Sequence, residues 1–75
     1  MNDIIIALIK DITFKTVTAE QPLVSTGLLD SVAMVDLVLA LESEFSLSLD
    51  IEDLTPEKLE TVDQIAALVT EKQAG

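Results

Sequence analysis

From Asp30 to Phe45, apolar residues recur at Met34, Leu37, Val38, Leu41 and Phe45, the spacing of a helix that buries one face. Asp30 is placed to cap this helix: its carboxylate can accept from the free first-turn amides, and its charge suits the positive end of the helix dipole. The helix is therefore predicted to begin at Ser31. Upstream, Asp3 to about Ile12 is apolar on almost every side, with Ile5, Leu8, Ile9 and Ile12 at helical spacing after Asn2 and Asp3, either of which can cap it. A buried first helix is the expectation. Residues 13–29 hold Thr13, Thr16, Thr18, Pro22, Ser25, Thr26 and Gly27, a breaker-rich stretch that reads as a long loop, with Leu23, Leu28 and Leu29 available to pin it over a core.

Beyond Phe45, residues 46–51 alternate polar and apolar as a strand would, but with no second strand to pair they read as extended loop. Thr55-Pro56-Glu57 sets a capping hydroxyl before a proline at a first helical position and predicts a short helical turn through about Leu59. Thr61-Val62-Asp63-Gln64 has the form of a capping box, and Val62, Ile65, Ala66 and Val69 follow at helical spacing, with Lys72 in the last turn and Gly75 after it. The expected fold is all-α: a small bundle of three main helices plus one short helix, without internal repeats.

With 75 residues, the chain has room for a single domain spanning 1–75, and with no cysteine it must hold by packing alone. Fourteen acidic residues against four lysines give a net charge of −10. Nucleic acid is thereby excluded as a ligand, since neutralising phosphates needs clustered basic residues. The same charge keeps a protein dispersed and steers it toward basic partner surfaces. The run from Ile4 to Ile9 is too short to cross a bilayer and lacks the flanks of a signal peptide, so a cytoplasmic monomer without membrane insertion is expected.

Histidine, cysteine and arginine are absent, which removes most catalytic constellations. Carboxylate groups such as Asp36 with Glu42, or Asp50 with Glu52 and Asp53, read as a solvated acidic face rather than an acid–base or metal site, and the latter stretch lacks the ligand spacing and turn glycine of a calcium loop. No catalytic or metal residue is expected. What remains is Ser31, at the start of the best helix, where an anionic group on its hydroxyl would meet free amides and the helix dipole. Val32, Val35 and Leu39 lie on the side away from Leu37, Leu41 and Phe45, interleaved with Asp36, Glu42 and Ser43. An apolar strip rimmed by carboxylates beside a serine reads as a docking surface; ordinary helix capping and burial against the long loop are the bland alternatives.

The segment GLLDSVAMVDLVLALESEF, Gly27 to Phe45, resembles the phosphopantetheine attachment segment of acyl carrier and peptidyl carrier proteins. The resemblance implies that Ser31 receives 4′-phosphopantetheine from coenzyme A through a phosphopantetheinyl transferase and that Asp30 is the aspartate before the attachment serine. It also implies that the following helix, with Val32, Val35, Asp36, Leu39 and Glu42, is the partner-recognition element. The chain would then be a non-catalytic carrier, holding an acyl or aminoacyl thioester for a ligase and downstream transferases with basic docking surfaces. GLLDS and the connection between Phe45 and Thr61, longer than in fatty-acid carriers, resemble the D-alanyl carrier and other discrete aminoacyl carriers. A reading from another class is an unmodified acidic helical adaptor for a basic partner, and only modification of Ser31 separates it from the first.

Overall fold

The computed structural model describes residues 1–53 and 55–74. Three α-helices form: α1 (Asn2–Thr13), α2 (Ser31–Phe45) and α3 (Val62–Ala74), with a 3-10 turn at Ile51–Asp53. Helix α1 packs against both α2 and α3, and those two touch each other less. The core takes Ile5 and Ile9 from α1, Leu37, Val38 and Leu41 from α2, and Val62, Ile65, Leu68 and Val69 from α3. Val17, Leu23, Leu29 and Leu59 from the connections complete it. Met34 and Phe45, expected on the buried face of α2, are half-buried against this core.

The first helix differs from expectation in two ways. It starts one residue earlier, so neither Asn2 nor Asp3 caps it; Met1 holds that place with no side-chain cap, its carbonyl accepting from the amides of Ile4 and Ile5. Asn2 is thereby free to donate from Nδ2 to Asp63 Oδ1 at 3.0 Å, tying α1 to the first turn of α3. Burial is also one-sided. Ile5 and Ile9 are fully buried while Ile4 and Ala7 are exposed, because only one stripe of a helix can face two neighbours in so small a bundle.

Of residues 46–51, expected as extended loop, Ser46 is a left-handed cap of α2 (φ 53°, ψ 50°) and Ile51 enters the 3-10 turn, while 47–50 form no regular element; the alternation is explained by burial, since Leu47 and Leu49 pack on the core while Ser46, Ser48 and Asp50 face solvent. The expected fourth short helix is a single hydrogen-bonded turn. The amides of Lys58 and Leu59 donate to the Thr55 carbonyl at 3.2 Å each, and Lys58 N–H also reaches Thr55 Oγ1, but the pattern does not propagate. A lone turn fixes several dihedrals for few bonds, which is why one seldom extends without further packing. At α3, the Gln64 amide donates to Thr61 Oγ1 at 3.1 Å as a capping box requires, while the Gln64 side chain meets the Thr61 hydroxyl instead of its amide. Gly75 lies outside the described residues.

Two carboxylates hold the connections in place. Glu60 Oε1 accepts from the amides of Leu23, Val24 and Ser25 at 3.2, 2.7 and 3.0 Å, pinning the long loop to the segment before α3. Hydrogen bonding from Ser25 above all keeps the Glu60 carboxyl below its ordinary value. Asp50 and Glu52 are exposed as expected, but Asp53 departs from the solvated face: it is buried, and it accepts from the Asp50 amide, from Lys58 Nζ at 3.0 Å and from Lys72 Nζ at 3.0 Å. Lysines dispersed in sequence thus converge in space.

The Asp50 amide, then the two ammonium groups, lower the Asp53 carboxyl from its ordinary 3.8 to about 2. A lowered folded-state value stabilises the native protein fully above the unfolded value, and this contribution fades as pH falls from about 4 toward 2. Asp53→Asn should therefore lower the thermal midpoint at pH 6, and its deficit against the wild type should shrink between pH 4 and pH 2. A deficit constant across that range would mean that the packing of this side chain, not its charge, holds the turn.

Candidate functional site

Helix α2 starts where the sequence indicates. Asp30, with extended backbone, accepts from the Ala33 amide through Oδ1 at 2.8 Å, and its carbonyl accepts from the Met34 amide at 2.9 Å. Ser31 is the first residue of the helix and is exposed. Its own amide and that of Val32 belong to the first turn, where no carbonyl lies one turn back to accept them. The approach to this corner is shaped by the end of the long loop. Gly27 has φ +80°, a left-handed conformation that glycine adopts at little cost, and a Cβ built there would meet no heavy atom within 4 Å. The space beside Gly27 is open.

Along α2, two apolar stripes lie on different sides. One is the buried set of Leu37, Val38 and Leu41; the other is Val32, Val35 and Leu39, which are 71 %, 49 % and 58 % exposed. Val32 and Leu39 are more than half exposed and Val35 about half, so among the described residues burial accounts for only part of this stripe. Asp36 is exposed on the same broad side. Glu42 is different: it is half-buried, and its Oε2 accepts from the Leu49 amide at 2.8 Å, so this carboxylate is engaged in holding the following loop. Nothing in the spacing of Glu42 distinguishes it from Asp36, because its partner lies in an irregular segment.

A shallow groove adjoins Ser31. Ile12, Thr13 and Lys15 from the end of α1 face Gly27, Leu28, Asp30, Val32, Ala33 and Asp36 across it. Sequence reasoning did not bring the end of α1 to this corner, since the contact depends on how the long loop folds back. The arrangement offers an accessible hydroxyl at a helix start, an open approach, and a flanking apolar strip with one carboxylate. Residues 3–69 match the family described as the phosphopantetheine attachment site. The chain belongs to that family. Members bind 4′-phosphopantetheine covalently, so this family member is a phosphopantetheine-carrying carrier protein, of a kind that is typically non-catalytic and works with phosphopantetheinyl transferases and biosynthetic enzymes. Neither the curated proteins nor the solved structures gave a match. Among its described residues, no helix is long and apolar enough to cross a membrane.

The corner around Ser31 fits such a group. An exposed hydroxyl can be reached by a transferase, and a phosphodiester on Oγ would lie beside first-turn amides at the positive end of the dipole.

Proposed function

We propose that Ser31 is the attachment residue and that the chain, as a single carrier domain, presents an acyl or aminoacyl cargo to successive enzymes through the α2 surface. The observation that carries this reading is the exposed serine directly after an aspartate that caps α2, within a chain of the phosphopantetheine family. In the attachment step, Ser31 Oγ forms a bond to the phosphorus nearer the pantetheine of coenzyme A. The pyrophosphate P–O bond breaks, adenosine 3′,5′-bisphosphate leaves, and the hydroxyl proton passes to a base on the transferase. Once attached, the group supplies a thiol on a flexible arm, which is why a chain without cysteine can carry a thioester. Asp30 holds the helix start, and the bundle keeps Ser31 accessible.

Val32, Val35 and Leu39 are the apolar centre of the partner face, and Asp36 is its charged rim. Glu42 contributes first by fixing the loop at Leu49. The glycine-leucine-leucine turn and the long connection after Phe45 favour an aminoacyl cargo of the D-alanyl type. The loading of purified holo protein, assayed with D-alanine, other amino acids and fatty acids and their ATP-dependent ligases, tests that choice. Intact mass after incubation with coenzyme A and a broad-specificity transferase tests the attachment: a gain of one phosphopantetheine on Ser31 supports it, and an unchanged mass favours the unmodified adaptor.

Asp36→Lys should slow modification or loading several-fold at low ionic strength while leaving the circular dichroism unchanged, because the charge meets a basic partner in solvent rather than any group of its own fold. The difference should narrow as salt is added. Equal rates at low salt with every partner tried would remove Asp36 from the recognition face.

A further inference from the structure

Among the described residues Phe14 is the most exposed of the large apolar side chains, at 88 %, and it sits at the end of α1 in the left-handed region, φ 62° and ψ 21°, donating its amide to the Lys10 carbonyl at 2.7 Å. Both properties count against it as a structural choice. A C-terminal cap of this geometry favours glycine or asparagine, and a bulky side chain there is an outlier. An aromatic ring in water at the same position adds a second cost without any packing in return. Thr13 and Lys15, on either side of Phe14, line the groove whose opposite wall includes Asp30 and Val32, on either side of Ser31. Phe14 and Ser31 thus belong to the two chain segments that face each other across this depression.

A strained, solvent-facing aromatic on the segment opposite the one that carries the serine has the character of an interface anchor: aromatic residues carry a large share of binding energy, and backbone outliers cluster at functional places. The occupant follows from reach. Enzymes that act on the end of a long arm can stand away from this corner, but the transferase must bring coenzyme A to Ser31 Oγ itself. A standard interface covers about 800 Å² on each partner. That is about a fifth of the 4390 Å² surface of this chain, so a footprint centred on Ser31 spans the groove.

We propose that Phe14 anchors the phosphopantetheinyl transferase, seated in an apolar pocket of that enzyme whose surroundings place basic side chains against Asp30 and Asp36 and an acidic one against Lys15. This rests on Ser31 as the attachment residue. It extends the docking surface from α2 onto the end of α1, and the mixed charges around the ring fix the register in which the enzyme lands.

The test uses a purified broad-specificity transferase and fluorescent coenzyme A, with Phe14→Gly and Phe14→Trp compared with the wild type. Glycine relieves the left-handed strain, so Phe14→Gly should melt at or above the wild-type temperature; its kcat/KM for modification should fall roughly tenfold, mainly through KM. Phe14→Trp keeps an aromatic anchor and should be modified within about threefold of the wild type. Wild-type kinetics for a folded Phe14→Gly would overturn the proposal. So would a concentration-dependent dimer of the wild type that Phe14→Gly dissolves, since the ring would then serve a second copy of the chain. If the wild type itself takes no label, the assignment of Ser31 fails first, and that result is distinct from labelling that is indifferent to residue 14.

Discussion

Ser31→Ala will give a folded protein that takes up no label from coenzyme A, and with it all carrier function is lost. On the proposed attachment the Ser31 hydroxyl oxygen becomes bonded to phosphorus, so no neighbouring group can replace it, and the expected loss is complete rather than graded. The fold should hardly notice. The cap at this helix is Asp30, which keeps its bond to the Ala33 amide whatever follows it, and alanine has a better helix propensity than serine. Mass spectrometry after exhaustive modification, together with a thermal melt, separates the two aspects. Label on the Ala variant at the wild-type rate would move the attachment elsewhere on the chain.

Leu41→Ala carries the largest expected effect on stability. Leu41 is fully buried on α2 in the cluster that joins all three helices, and truncating such a leucine costs about 2–5 kcal/mol. A 75-residue domain has a total stability of roughly the same order, at about 0.05–0.15 kcal/mol per residue. The variant should be largely unfolded or molten at 37 °C, read as loss of the cooperative thermal transition. By contrast Leu39→Ala, two residues away on the exposed stripe, should melt close to the wild type. A Leu41→Ala midpoint within a degree or two of the wild type would contradict the placement of this side chain in the core.

The three helices were legible because their spacing is helical and because Asp30 and Thr61 are side chains that cap. In α2 the difficulty was that apolar residues occupy two sides, so periodicity alone leaves open which side is buried; the carboxylates interleaved with Val32, Val35 and Leu39 settled it. The position of Ser31 at the start of α2 was legible because its capping neighbour Asp30 is contiguous with it in sequence. The features that escaped have partners far along the chain. Asp53 meets Lys72 of α3 and so read locally as one more solvated charge, and Glu60 accepts from amides of the long loop, a pairing that no local spacing signals. Phe14 lay in a segment of breakers, where no period assigns a side, and its left-handed backbone has no sequence signature when the residue is not glycine.

The exposed apolar strip on α2 has a colloidal consequence. An apolar strip left in water favours self-association, and mutual repulsion among strongly anionic molecules is the simplest protection against it. That protection vanishes at the isoelectric point, near pH 4.1. The Asp53 carboxyl, lowered to about 2, is still ionised there and still holds its two lysines. Molecules that associate near pH 4 should therefore be native ones meeting through the exposed Val32, Val35 and Leu39, and should redissolve when the pH is raised.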